Sequence, residues 1–261
     1  MSSKETRSGL RGVPGLLRSL LIYWRPGRQQ ALRRMYRPWI RPGALVLDIG
    51  AHLGDRTMAF AGLGARVVAL EPQPLIRRWL QRIAGRHPAV TIRPEAVGAA
   101  SGQAVLAVSL SHPSVSSMSA PWRSAVHAAN AGFGRVTWPG TVTVPVVTLD
   151  QLIREYGEPA FCKIDVEGYE AQVLAGLSRP LAALSFEFVA GGLDIARSCV
   201  ARLGQLGAYR FNVIIGEGRR YRWPHWHDGA DIDAWLAGGA DGAASGDIYA
   251  LRADGAEAGR D

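Results

Sequence analysis

A short apolar run with no polar face, ALVLD at 44–48, is the strongest constraint on the fold. A strand with nothing to present to water must be covered on both sides, as parallel strands inside α/β sheets are. A helical stretch follows at 55–63 and is ended by Gly64. A second strand at 66–70, RVVAL, closes on Glu71 and Pro72; then come a helix at 74–86 and a third strand at 90–93. This β-α-β-α-β order predicts a doubly wound, mostly parallel sheet. Further on, 148–156 reads as a helix with Thr148 as N-cap, and 161–164 as a strand ending at Asp165. A helix at 168–175 has Gly176 in position for a C-cap. The strand at 181–188, the helix at 195–206 and the strands at 209–215 and 247–252 complete the alternation. Less regular strands at 102–108 and 141–146 bracket 109–140, which is rich in Ser, Pro, Gly and Trp. A structureless stretch of that length serves as a lid or binding loop, or is disordered.

A chain of 261 residues suits one large α/β domain, here placed at 42–252 with a polar tail at 253–261. The net charge of +8 sits almost wholly in an arm at 1–41, which holds ten Lys and Arg residues and one acid, Glu5. The arm mixes arginines with Leu, Ile, Tyr and Trp. It reads as a helical cover on the sheet, as a peripheral contact with anionic lipid, or as a nucleic-acid patch; a nucleic-acid partner is not expected. Its apolar stretch is too short and too charged to span a bilayer, and no secretory signal is evident. Two cysteines, Cys162 and Cys199, give neither a disulfide framework nor a zinc spacing. A cytoplasmic location, with contact at the inner membrane surface through the arm, fits these features.

Ligands of open α/β sheets bind at the carboxyl ends of the strands. Gly50 lets the backbone pass close to a ligand, and Gly54 leads into a helix whose free N–H groups favour an anion. Glu71, ending the next strand, can accept hydrogen bonds from two ribose hydroxyls. The dinucleotide fingerprint G-x-G-x-x-G fails, because His52 and Asp55 stand where its later glycines belong. The P-loop pattern is absent. Asp48 would repel a pyrophosphate and welcome an ammonium, so S-adenosylmethionine, which has no phosphate, suits the loop better.

VLDIGAHLGDRT, VVALEPQP, PEAVG, TLDQL and CKIDVEGYEAQVLAGL together resemble the FkbM-type S-adenosylmethionine-dependent methyltransferases, from about Tyr36 to about Arg252. The resemblance implies a Rossmann-like, seven-stranded, mostly parallel sheet whose last hairpin is antiparallel, formed by 209–215 and 247–252. It implies that Asp48, Gly50, Ala51, His52 and Gly54 surround the methionyl part of the cofactor. By the same resemblance Glu71 holds the ribose, Glu95, Ala96 and Val97 flank the adenine, and Asp165 lies nearest the transferring methyl. His52 departs from the small polar residue often seen in this loop and also reads as a partly exposed loop histidine.

Methyl transfer to an alcohol is an in-line displacement, and the alcohol proton must leave. A carboxylate can take that proton or hold a divalent ion that lowers the alcohol pKa. Asp165, Glu167 and Glu187 are the candidates, with Asp165 and Glu187 as the ligands of an ion if one is used. Glu167 also reads as a cap on the following helix, and Lys163 as a catalytic or substrate-contacting residue or a strand-end salt bridge. Trp122, His127 and Trp138, with His112, and a second cluster of Trp223, His225, Trp226 and His227, could stack on a sugar, or form a hydrophobic lid; His225 or His227 is also a candidate base. No [DNS]-P-P-[YF] motif follows the fourth strand, no Pro-Cys pair offers a cytosine-attacking thiolate, and only Lys4 and Lys163 exist. These absences disfavour nucleic-acid base and ribose methylation. The expectation is an O-methyltransferase acting on a hydroxyl of a sugar, glycan precursor or polyketide-like metabolite. Its rivals are a nicotinamide-dependent oxidoreductase and a non-catalytic nucleoside-binding module that docks at membranes.

Overall fold

The computed structural model describes residues 24–109 and 112–253. Most of the basic arm, 1–23, and nearly all of the polar tail lie outside the described residues. The described chain begins with α1 (Arg28–Tyr36), followed by β1 (Leu45–Ile49), α2 (Asp55–Ala61), β2 (Arg66–Leu70), α3 (Pro74–Ala84) and β3 (Val90–Arg93). Next come β4 (Ala96–Val97), β5 (Gly102–Val108), α4 (Ala120–Ala129), β6 (Gly140–Val147), α5 (Leu149–Tyr156) and β7 (Phe161–Ile164). The chain continues through α6 (Glu170–Ala175), β8 (Ala183–Val189), α7 (Leu193–Leu206), β9 (Tyr209–Ile215), α8 (Gly229–Ala237) and β10 (Ser245–Arg252).

Seven strands form the main sheet in the order β3-β2-β1-β7-β8-β10-β9. All neighbours run parallel except β10, which is antiparallel to both β8 and β9. The expected sheet and its late antiparallel hairpin are therefore present. A separate three-stranded sheet, β4-β6-β5, stands beside it.

Side-chain alternation along the strands supplies both faces of the core. Leu45, Leu47 and Ile49 of β1 join Ile153 of α5, Leu174 of α6, Leu203 of α7 and Ile232 of α8 on one side. Val46 joins Leu32 and Tyr36 of α1, Phe60 of α2 and Leu80 of α3 on the other. Tyr36 meets Phe60 and Phe161 edge-on, and Trp39 packs near Phe161 and Tyr249. The domain thus includes α1, so the expected boundary at residue 42 falls inside a packed unit. The described part of the arm includes α1, which packs on the sheet through Leu32 and Tyr36. Both cysteines are buried, Cys162 in the central β7 and Cys199 in α7.

Both 109–140, expected as a lid or binding loop, and 216–246, to which no element was assigned, contain helices. In 109–140 a 3-10 turn at Pro113–Val115 precedes α4, whose N-cap Ser119 accepts from the Trp122 N–H. This helix pins the segment by burying Trp122 and Val126. In 216–246, Asp228 caps α8 by accepting from the N–H groups of Ala230 and Asp231. Conversely, α6 starts at Glu170 rather than at 168, because Glu167 and Gly168 both adopt left-handed backbone, with φ of 56° and 87°.

Candidate functional site

A cleft of about 1140 Å³, open mouth included, lies across the carboxyl ends of the parallel strands. The turn after β1 forms one wall. Gly50 has φ of 77°, and a Cβ there would overlap the carbonyl oxygen of Asp165. Only glycine lets the ends of β1 and β7 approach so closely. The N–H groups of Gly50 and Ala51 both donate to Leu70 O of β2, at 3.0 and 2.9 Å.

Glu71 extends from β2 into the cleft and is 7% exposed. One of its oxygens accepts from His52 N–H at 3.0 Å and the other from Gln73 N–H at 2.8 Å. A carboxylate has about four acceptor sites, so each oxygen retains capacity for a ligand hydroxyl. Burial pushes the Glu71 carboxyl up to about 7 against these two donors. His52 itself has φ of 50° and is held neutral, its pKa lowered to about 4 by burial. Ala96 and Val97 line the next part of the wall with Leu106, Ser116 and Met118. Glu95 reaches the same wall, but its carboxylate is held by Arg93 through two bonds of 3.0 and 2.8 Å.

The opposite end of the cleft is acidic. Oxygens of Asp165, Glu167 and Glu187 all lie within 4.8 Å of one another, a donor set that suits a hard divalent cation. The strand stops at Ile164, so it is the left-handed turn at Glu167, not strand alternation, that brings Asp165 and Glu167 together. Glu167 does not cap the next helix. The N-cap position is Tyr169, and Glu170, the first helical residue, ties down the preceding turn by accepting from Val166 N–H and Gly168 N–H at 3.1 and 3.3 Å. Glu187 comes from β8, with Asp247 opposite it on β10.

Lys163, 3% exposed, is ion-paired with Asp165 at 3.0 Å and lies 3.8 Å from Asp48. Burial opposes its charge, but Asp165 and Asp48 outweigh it and raise its pKa. Burial likewise raises Asp165, and Lys163 with Arg56 overrides it, so Asp165 is ionised. Glu167 and Glu187 are pushed well up, first by burial and then by neighbouring carboxylates, Asp165 among them. This end therefore sets one ionised carboxylate, Asp165, beside two whose affinity for a proton is raised.

Several expectations are corrected here. Asp48 does not line the cleft. β1 runs on to Ile49, which puts Asp48 inside the strand, fully buried and accepting from Thr57 Oγ at 2.6 Å. Gly54 is also off the wall; a Cβ there would strike Leu80 of α3, so it serves helix packing. Neither aromatic cluster lines the cleft. Trp122 is buried, His127 bonds Val136 O at 2.6 Å and Trp138 donates to Val115 O at 2.7 Å. Trp223 packs on Trp235 and His227, and Trp226 on Trp39 and Tyr221. His225 and His227 are likewise away from the wall. Residues the sequence reading missed are Asp55, Arg56, Glu217 and Asp247. Arg56 sits 3.6 Å from Asp55 and 3.7 Å from Asp247, and Asp55 also pairs with Arg28 at 2.7 Å. A signal for Arg56 was present in its place one residue into the helix after the glycine turn.

A doubly wound sheet of this strand order, with an acid-rimmed cleft at its carboxyl end and one inverted strand near its edge, defines a Rossmann-like methyltransferase. The chain belongs to the FkbM methyltransferase family: the model of the methyltransferase FkbM domain matches residues 48–239. It is 28% identical over 144 residues to the hexuronic acid methyltransferase AglP of Haloferax volcanii, covering 54% of this chain and 53% of that one. The chain thus matches about half the length of this curated relative. Among solved structures, it is similar to a precorrin-6y C5,15-methyltransferase from Geobacter metallireducens (12% identity, TM-score 0.47, 87% and 88% of the two chains). It is also similar to an O-methyltransferase from Bacillus cereus (14% identity, TM-score 0.46, 87% and 81%).

Proposed function

We propose that the chain is an S-adenosylmethionine-dependent O-methyltransferase whose acceptor is a hydroxyl of a sugar, glycan precursor or polyketide-like metabolite. The observation that carries this reading is one cleft with Glu71 at one end and the ionised Asp165, beside Glu167 and Glu187, at the other. When bound, S-adenosylmethionine supplies a methyl group on a positively charged sulfur. Glu71 is suited to the ribose diol, with spare acceptor capacity on both oxygens, and Gly50 lines the same cleft. Ala51, His52, Ala96 and Val97 complete the cofactor wall.

Asp165 takes the acceptor proton. Its low pKa is no obstacle, because an alcohol oxygen becomes strongly acidic once it gains a methyl group. Glu167 and Glu187, whose burial favours the protonated form, can in that form donate to neighbouring acceptor oxygens and fix the attacking one. Lys163 binds Asp165, Asp48 and the Gly50 carbonyl, the last at 3.4 Å, and is a positioning residue. The name of the Haloferax relative supports a sugar acceptor.

The test is transfer of labelled methyl from S-adenosylmethionine into a cell extract, with mass spectrometry of the labelled product. Asp165→Asn should lower turnover by about 100-fold or more and leave cofactor affinity within a few-fold. Calorimetry showing NADH bound in preference to S-adenosylmethionine would assign the cleft to an oxidoreductase. Cofactor binding with no transfer to any extract component would assign it to a binding module.

A further inference from the structure

Over residues 24–94 the sequence holds thirteen arginines and three acids, and those three, Asp48, Asp55 and Glu71, are all buried. This stretch builds α1, α2 and α3, which pack on the same face of the sheet through Leu32, Phe60 and Leu80. The outer surface of that face therefore carries positive charge, and residues 24–94 add no exposed carboxylate to it; exposed Glu217, from beyond β9, reaches Arg28 of α1. Arg33, Arg34 and Arg37 surround one shallow hollow with Leu63, and Arg78, Arg82 and Arg86 surround another with Gln81. All six are exposed, and none has an acidic partner among the described residues. Residues 95–253 are the reverse, with twelve basic and fifteen acidic residues. Exposed Glu155 belongs to α5 and pairs with Arg93, while exposed Asp194 and half-buried Asp233, of α7 and α8, pair with Arg197.

We infer that the α1–α3 face is a docking surface for an anionic lipid bilayer. Guanidinium groups match lipid phosphates bidentately, and basic residues near an anionic leaflet each contribute independently to binding. Phosphate alone does not separate a membrane from a nucleic acid; the apolar residues interleaved with the arginines do. Leu63 and Trp79 are half-buried among them, with the Arg82 guanidinium 4.8 Å from the Trp79 ring centre. The sequence that leads into the face is LLRSLLIYW at 16–24. Tryptophan and arginine side by side suit the boundary between headgroups and acyl chains. The inference does not depend on the chemistry of the cleft, since none of these six arginines lines it.

Flotation of the full-length protein with vesicles tests it. The protein should float with phosphatidylcholine vesicles containing phosphatidylglycerol, stay behind with pure phosphatidylcholine, and be released by added salt. The combined substitution Arg34→Glu, Arg37→Glu, Arg82→Glu and Arg86→Glu should weaken partitioning by at least about tenfold, with circular dichroism and melting temperature unchanged. If that variant does not fold, the four arginine-to-glutamine changes carry the test and should give a smaller loss in the same direction. Undiminished flotation of either folded variant overturns the proposal. So does wild-type protein that ignores anionic vesicles, or that prefers a DNA duplex to them.

Discussion

At the scale of single residues, Glu71 makes the sharpest prediction. Burial lifts its carboxyl to about 7, whereas a diol needs the ionised form as acceptor. Ligand binding must therefore expel a proton below that pH. S-adenosylmethionine affinity should fall as pH drops from 7, by up to about tenfold per pH unit, and stay flat above about 8. Calorimetry in buffers of different ionisation enthalpy would detect the released proton, and Glu71→Gln should flatten the profile. The same shift runs against stability: the fold holds this proton more tightly than the unfolded chain, so this group's contribution to stability declines as pH rises from about 4.5 to 7. Gly50→Ala places a Cβ against the Asp165 carbonyl at positive φ, which should cost about 1–3 kcal/mol and abolish cofactor binding, measured by melting temperature and calorimetry. Glu71, Glu95, Asp165 and Glu187 were legible because residues at strand ends face the cleft by topology. Asp48 was misread because a strand that ends one residue later than expected turns a rim position into an interior one.

At the scale of elements, the insert after β5 does more than roof the cleft. Ser117 is fully buried and its hydroxyl donates to Glu167 O at 2.6 Å, while Trp122 lies where a side chain on Gly168 would go. The insert thereby holds the left-handed Glu167–Gly168 turn that aims a carboxylate at Asp165. Gly168→Ala should collide with Trp122 and destabilise the protein by about 2 kcal/mol or more, lowering the melting temperature by several degrees. Ser117→Ala should cost about 1 kcal/mol and reduce turnover more than cofactor affinity. The main-sheet strands were readable because a two-sided apolar strand has a plain signature. Helices α4 and α8 were not: Pro121, Gly229 and the short polar residues around them look like loop, and their stability comes from Trp122, Ile232 and Leu236 packing on distant elements.

At the scale of the whole molecule, the sheet separates a basic face from an acidic cleft and an acid-bearing opposite face. Among the described residues no helix is long and apolar enough to cross a membrane. Trp39 belongs to this scale because it joins α1 to the far strands through Phe161, Trp226 and Tyr249. Trp39→Ala should cost about 3 kcal/mol or more, read by chemical denaturation. Finally, the two thiols lie where only large motions reach them, one in the middle of β7 and one under α7. A thiol-reactive dye should stay colourless with the native protein and develop in two steps under mild denaturant if the outer helix lifts away before the sheet comes apart. The chain thus carries its own pair of clocks for the order in which it opens.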